Sequence, residues 1–100
     1  MTAIVAINDM VAYGVLDALA QEGLRVPEDY SVCGFDNLYP SQLAGVGLTT
    51  VEHSIVERGQ SAFHLLLEKL DGNSRKDAFT RIEYQSRMVA RKTTAPPRRY

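Results

Sequence analysis

The chain has 100 residues and a net charge of −1, with 45% hydrophobic and 23% charged side chains. That balance belongs to an ordinary globular protein and excludes collagenous, disordered and disulfide-rich classes. The length allows one domain at most, with a modest core.

The single cysteine, Cys33, cannot form an internal disulfide and sits in an apolar run, so it is expected to be a buried free thiol in a reducing compartment rather than a nucleophile. The longest uninterrupted apolar stretch is Ala3 to Ile7, far short of the roughly 20 residues of a membrane helix, and no secretory signal pattern opens the chain. A cytoplasmic protein without membrane contact is the expectation. Net charge hides an asymmetry: residues 1 to 74 carry three basic and ten acidic side chains, whereas residues 75 to 100 carry eight and two. The basic residues Arg75, Lys76, Arg81, Arg87, Arg91 and Lys92 are spread over loops and strands with no helix to present them to a groove, which argues against direct nucleic-acid contact.

In chain order, Ala3 to Ile7 reads as a central strand, apolar on both faces and followed by Asn8-Asp9. From Asp9 the period changes, with Val11, Ala12, Val15, Ala18 and Leu19 on one helical face and Asn8 or Asp9 as cap; Gly23 and Pro27 stop this helix near Glu22. Ser31 to Phe35 is a second short apolar strand that ends on Asp36-Asn37. Two strands joined by such a helix form a right-handed parallel βαβ unit, so Asn8, Asp9, Asp36 and Asn37 gather at one sheet edge, where open α/β sheets bind ligands.

Residues 38 to 47 read as a loop or brief helical turn, and Leu48 to Val51 as a strand ending in Glu52-His53. Ser54-Ile-Val-Glu57 matches a capping box. The helix it would open carries an apolar stripe of Gly59, Ala62, Phe63, Leu66, Leu67 and Leu70, and ends at Asp71-Gly72-Asn73 before a polar surface loop to Lys76. Thr80 to Tyr84 alternates like a strand, Arg87 to Ala90 does so more weakly, and the tail from Thr93 with Pro96-Pro97 is expected to be extended and mobile.

Several of these segments, in this order and spacing, carry a family resemblance. Asn8-Asp9 with Ala12 and Gly14, Glu22-Gly-Leu-Arg-Val-Pro-Glu-Asp29, Ser31-Val-Cys-Gly-Phe-Asp-Asn37, and Leu48-Thr-Thr-Val51 with a polar residue two further on resemble the effector-binding part of the LacI/GalR family of bacterial transcription regulators, over about residues 2 to 95. The resemblance implies an α/β fold, an open and mostly parallel sheet with flanking helices, forming part of a lobe similar to periplasmic sugar-binding proteins over residues 1 to 92, with an extended tail at 93 to 100. It implies a small-molecule effector, a sugar or nucleobase, held between two lobes of a homodimeric regulator whose DNA contact is made by a helix-turn-helix domain. The chain resembles only the later part of the second lobe, so that domain, the hinge segment and the first lobe are expected to be missing from it. Carried over residue by residue, Asn8 and Asp36 match positions that hydrogen-bond ligand hydroxyls. His53 falls where glutamine or another polar group often faces the ligand; Tyr13 and Leu16 lie on the helix near the family's dimer contact.

Blander readings stand beside these. Asn8 and Asp9 serve equally as helix caps, Asp36 as a turn partner of Asn37, and His53 as an exposed residue before a helix. No enzyme, cofactor or metal is expected: His53 and His64 are eleven residues apart, no ligand spacing exists, and no glycine-rich phosphate fingerprint is present. The alternatives are a fragment of a periplasmic-type solute-binding protein and a Mg²⁺-dependent phosphoryl-accepting domain using Asp9 and Asp36.

Overall fold

The computed structural model describes residues 1 to 72 and 79 to 98. The chain divides into two compact units, Met1–Glu52 with Arg87–Tyr100, and His53–Ser86.

In the first unit, β1 (Ala3–Val5) pairs in parallel with β2 (Ser31–Cys33), with Ala3 opposite Ser31 and Val5 opposite Cys33. The helix α1 (Asp9–Gln21) joins them. Asn8 is extended at its start and its Oδ1 accepts from the Val11 amide at 2.9 Å, a direct N-cap. At the other end Gly23 takes a left-handed φ of +71°, and the amides of Gly23 and Leu24 reach back to the carbonyls of Ala20 and Leu19. Only glycine adopts that turn without cost, which is why the helix stops there.

The buried face of α1 is Ala12 and Leu19, with Val15 and Leu16 partly covered; Val11 and Ala18, expected on that face, are exposed because the i, i+3, i+4, i+7 row begins at Ala12. With Ala6, Val32 and Leu48 these residues make a small core. β1 is not buried on both faces as expected: Val5 and Ile7 are 79% and 81% exposed, since α1 covers only the side on which Ile4 and Ala6 lie. Cys33 is half-buried rather than buried.

The second edge of β2 is shared. Val32 is bonded through both its amide and its carbonyl to Thr93, and beyond it Gly34 and Asp36 donate to the carbonyls of Thr49 and Val51. A lone parallel bridge, Cys33 with Thr49, therefore links β2 to β3 (Thr50–Glu52), which pairs antiparallel with β4 (Arg87–Val89). Thr93, where the extended tail was expected to begin, is thus bonded to the edge of β2. Pro40 opens a short 3₁₀ turn at Tyr39–Gln42, the brief helical turn expected between 38 and 47.

The second unit holds α2 (Ile55–Leu70). The capping box does not form: Ser54 is left-handed at φ +57°, ψ +50°, and its side chain makes no capping bond, because that backbone is not the extended one from which an N-cap hydroxyl reaches forward. Gly72, again left-handed, ends α2 as expected, while Asn73 and the loop to Lys76 fall outside the described residues. No residue of α2 is buried. Tyr84 lies along a neighbouring face, its hydroxyl bonded to Ser61 Oγ and donating to the Glu57 carbonyl, and leaves Phe63, Leu66 and Leu70 exposed. Thr80 to Tyr84 forms no strand, whereas the weaker pattern at Arg87 does; a strand needs a partner, and among the described residues only β4 finds one.

Candidate functional site

The carboxyl ends of β1 and β2 open onto the same edge. The ladder runs past both strands, with the Ala6 amide on the Cys33 carbonyl at 2.8 Å and the Asp9 amide on the Phe35 carbonyl at 3.0 Å. Parallel pairing in this register brings Asn8 and Asp36, the two principal site residues read from the sequence, to one rim. Asn8 is half-buried; its cap bond takes one lone pair of Oδ1 and leaves the second lone pair and the Nδ2 hydrogens. Cap and ligand contact are therefore compatible.

Asp36 and Asn37 both have positive φ, +125° and +56°. Non-glycine residues in that region carry strain that persists only where the surroundings impose it, and such turns cluster at ligand sites. Here the surroundings are specific. The Asn37 amide donates to Thr50 Oγ1 at 3.2 Å, and its Oδ1 accepts from Arg91 Nη2 at 2.7 Å. The same guanidinium donates to the carbonyls of Leu48 and Ser41 at 2.9 and 3.3 Å.

Asp9 does not face a ligand. It is wholly buried, and its carboxylate accepts from the Leu38 amide at 2.8 Å, Ser41 Oγ at 2.6 Å and Thr50 Oγ1 at 2.6 Å. Buried carboxylates persist when their oxygens are saturated in this way. This corrects the alternative in which Asp9 and Asp36 hold Mg²⁺, because Asp9 has no solvent-facing oxygen to give, and no group of ligands able to hold a metal occurs among the described residues. Gly34 makes the burial possible: a Cβ there would run into Asp9 Oδ1 and approach Leu48 Cδ2 to 2.9 Å.

His53 lies in the second unit, beside Arg58, with Nδ1 2.5 Å from a guanidinium nitrogen. Arginine only donates, so Nδ1 accepts and the ring proton is on Nε2. The two residues line a polar cleft of about 400 Å³ with Arg81, Glu83, Tyr84 and Ser86. Tyr13 and Leu16, the dimer candidates, line a separate cleft of about 420 Å³ in the first unit with Val26, Pro40, Val46 and Lys92. Burial, and then the Asp9 charge, push the Cys33 thiol up, which leaves it a poor nucleophile.

Ser41, Thr50 and Arg91, which shape the rim, escape a reading of the sequence. One signal was present. A Thr49-Thr50 pair between the apolar Leu48 and Val51 must find partners for its hydroxyls once buried, which asks for polar groups from elsewhere in the chain.

Residues 1 to 94 match the family of periplasmic binding protein-like domains. The chain is 38% identical over 92 residues to the HTH-type transcriptional repressor PurR of Pasteurella multocida, covering 92% of this chain and 27% of that protein. A LacI-family transcriptional regulatory protein from Corynebacterium glutamicum superposes with a TM-score of 0.80 at 38% identity, over 96% of this chain and 36% of the other. A LacI family regulator from Enterococcus faecium, solved with bound ribose, gives 0.84 at 32% identity, over 97% and 36%. The chain thus spans roughly a quarter to a third of the length of the relatives it matches.

Proposed function

Because the chain belongs to the periplasmic binding protein-like domain family, in the form that LacI/GalR-type regulators use to bind effectors, we propose that it supplies part of a small-molecule site, with Asn8 and Asp36 taking the hydroxyls of a sugar. The observation that supports this reading is the parallel pairing of β1 with β2, which brings the strand ends bearing Asn8 and Asp36 to one edge, together with the positive φ of Asp36. A carboxylate accepts from two adjacent hydroxyls while an amide both donates and accepts, which suits a furanose or pyranose edge. The neighbour with bound ribose favours a sugar, and the LacI/GalR resemblance keeps a nucleobase as the second candidate. His53 is proposed as a further ligand-facing residue.

On this reading the activity is regulatory and cytoplasmic, with no catalytic step, and DNA is contacted by a domain outside these 100 residues. The exposed Phe63, Leu66 and Leu70 of α2 fit a chain that is one part of a larger effector-binding domain. Assembly is proposed to be dimeric, through the uncovered edge of β1, since exposed strand edges recruit other chains, and through the parts of Tyr13 and Leu16 that line the cleft, both residues being packed against the core on their other side. A monomer in light scattering at high concentration would count against the dimer.

The test is a ribose titration of the chain followed by amide resonances. Three missing hydrogen bonds from absent residues cost about 1 kcal/mol each, or two orders of magnitude together, so the expected response is weak, local to residues 8 and 36, and lost in Asp36→Ala. No response there to ribose or to hypoxanthine, or an unchanged one in Asp36→Ala, would refute the assignment.

A further inference from the structure

Asp9 is the peptide neighbour of Asn8, yet both its backbone and its side chain reach the turn that carries Asp36. Its amide donates to the Phe35 carbonyl and its Oδ2 accepts from the Leu38 amide, so a single residue brackets the two strained positions from either side. Its Oδ1 holds Thr50, which in turn accepts from the Asn37 amide. The hydrogens in this chain have one arrangement. Ser41 Oγ gives its only proton to Asp9, so the Tyr13 hydroxyl, 2.6 Å away, donates to Ser41, just as the Asn37 amide donates to Thr50 and Thr50 to Asp9. Two hydroxyl relays thus converge on one buried carboxylate, and every donor points inward.

Resting on the sugar-binding reading above, we infer that Asp9 and Thr50 are positioning residues: they touch no ligand, but set the left-handed backbone at Asp36 and Asn37 and thereby the spacing between Asn8 and Asp36. A merely structural Asp9 would need only satisfied oxygens. This one instead spends two of its bonds, one backbone and one side-chain, on the two ends of the same two-residue turn, and a third on the hydroxyl that holds the turn's middle amide. Removing Thr50 Oγ1 while keeping the side-chain volume frees the Asn37 amide and one carboxylate oxygen without opening a cavity.

The experiment compares the whole chain with Thr50→Val, Thr50→Ser and Asp9→Asn by hydrogen exchange and by ribose titration. In Thr50→Val and Asp9→Asn, amides 36 to 38 are expected to exchange about tenfold faster or more, while those in the middle of α1 and at Val32 keep their rates; Thr50→Ser restores the turn. The ribose response weakens in Thr50→Val and Asp9→Asn and is kept in Thr50→Ser. Unchanged exchange at 36 to 38 in both Thr50→Val and Asp9→Asn, or an equal acceleration through α1 and Val32, would overturn the inference, as would a Thr50→Ser chain that behaves like Thr50→Val. If the parent chain ignores ribose, the sugar reading fails while the exchange comparison still decides whether Asp9 and Thr50 hold the turn.

Discussion

Thr93 offers the sharpest test of how this small sheet is held. Its side chain is 3% exposed; Oγ1 donates to the Val32 carbonyl at 2.7 Å and accepts from the Thr49 amide at 2.9 Å, and its own carbonyl takes the Val32 amide. One residue therefore ties Val32 of β2 to Thr49, just before β3, beside the single Cys33–Thr49 bridge. Thr93→Val keeps the shape and removes the hydroxyl, stranding a buried carbonyl and a buried amide. At about 1 to 3 kcal/mol for each orphaned group the loss is about 2 to 6 kcal/mol, a large share of the roughly 5 to 15 kcal/mol that holds a domain together. Thr93→Ser keeps both bonds and loses one methyl, about 1 kcal/mol. Urea denaturation followed by far-ultraviolet circular dichroism separates the two: the valine chain should unfold at much lower urea than the serine chain. Equal midpoints for valine and serine would show that the hydroxyl is dispensable and that the tail only rests on the sheet.

Gly34→Ala should destabilise by about 1 to 3 kcal/mol, because its new Cβ meets Asp9 and Leu48, both wholly buried and unable to step aside; a denaturation midpoint within error of the parent would contradict that packing. Asp29 is held below the usual carboxylate range, first by its side-chain hydrogen bond from Arg25 and then by the Arg25 backbone amide, with Arg98 adding charge. Its folded pKa lies under its unfolded one, so its stabilising contribution is complete above the ordinary value near 3.8 and is lost as pH falls through the lower folded value. Asp29→Asn should therefore narrow the difference in stability between neutral and acid solution, and an identical acid limb in the variant would refute the assignment.

The βαβ unit was legible because its signals are local and agree with one another. Asn8 before an apolar period, Gly23 at the stop, and a second apolar run beginning at Ser31 leave one topology, and handedness follows. The misreadings share a different cause. Thr80 to Tyr84 has better alternation than Arg87 to Val89, and the tail at Thr93 carries the composition of a loose end; yet strands are made by partners, and β3 was available to Arg87 while Val32 was available to Thr93. Local propensity ranks segments by their own residues, and pairing ranks them by what lies alongside. Ser54 failed as a cap for a related reason, since its left-handed backbone is invisible in the Ser-x-x-Glu pattern.

At the site, the rim positions were legible and their support was not. Asn8 and Asp36 announce themselves because each ends an apolar run, and a parallel pair must put both ends on one edge. Asp9, one residue further along the same turn, read as a cap or as a carboxylate of the Mg²⁺ alternative, not as a buried anchor. What separates it from Asn8 is the first turn of α1: Asn8 lies outside the helix and keeps polar atoms in reserve, whereas Asp9 is the first helical residue, turned inward against Gly34, Ser41 and Thr50. A glycine in the middle of the second apolar run was the trace of this in the sequence, since it marks the point where a strand has made room for another group. A carboxylate one residue past the first strand tip, and a side-chain-free position two residues before the second strand's polar end, form a pair that a parallel register can join. The same pairing of Asp with strand Gly gives a concrete way to tell an inward-facing acid from a ligand-facing one when only the chain is known.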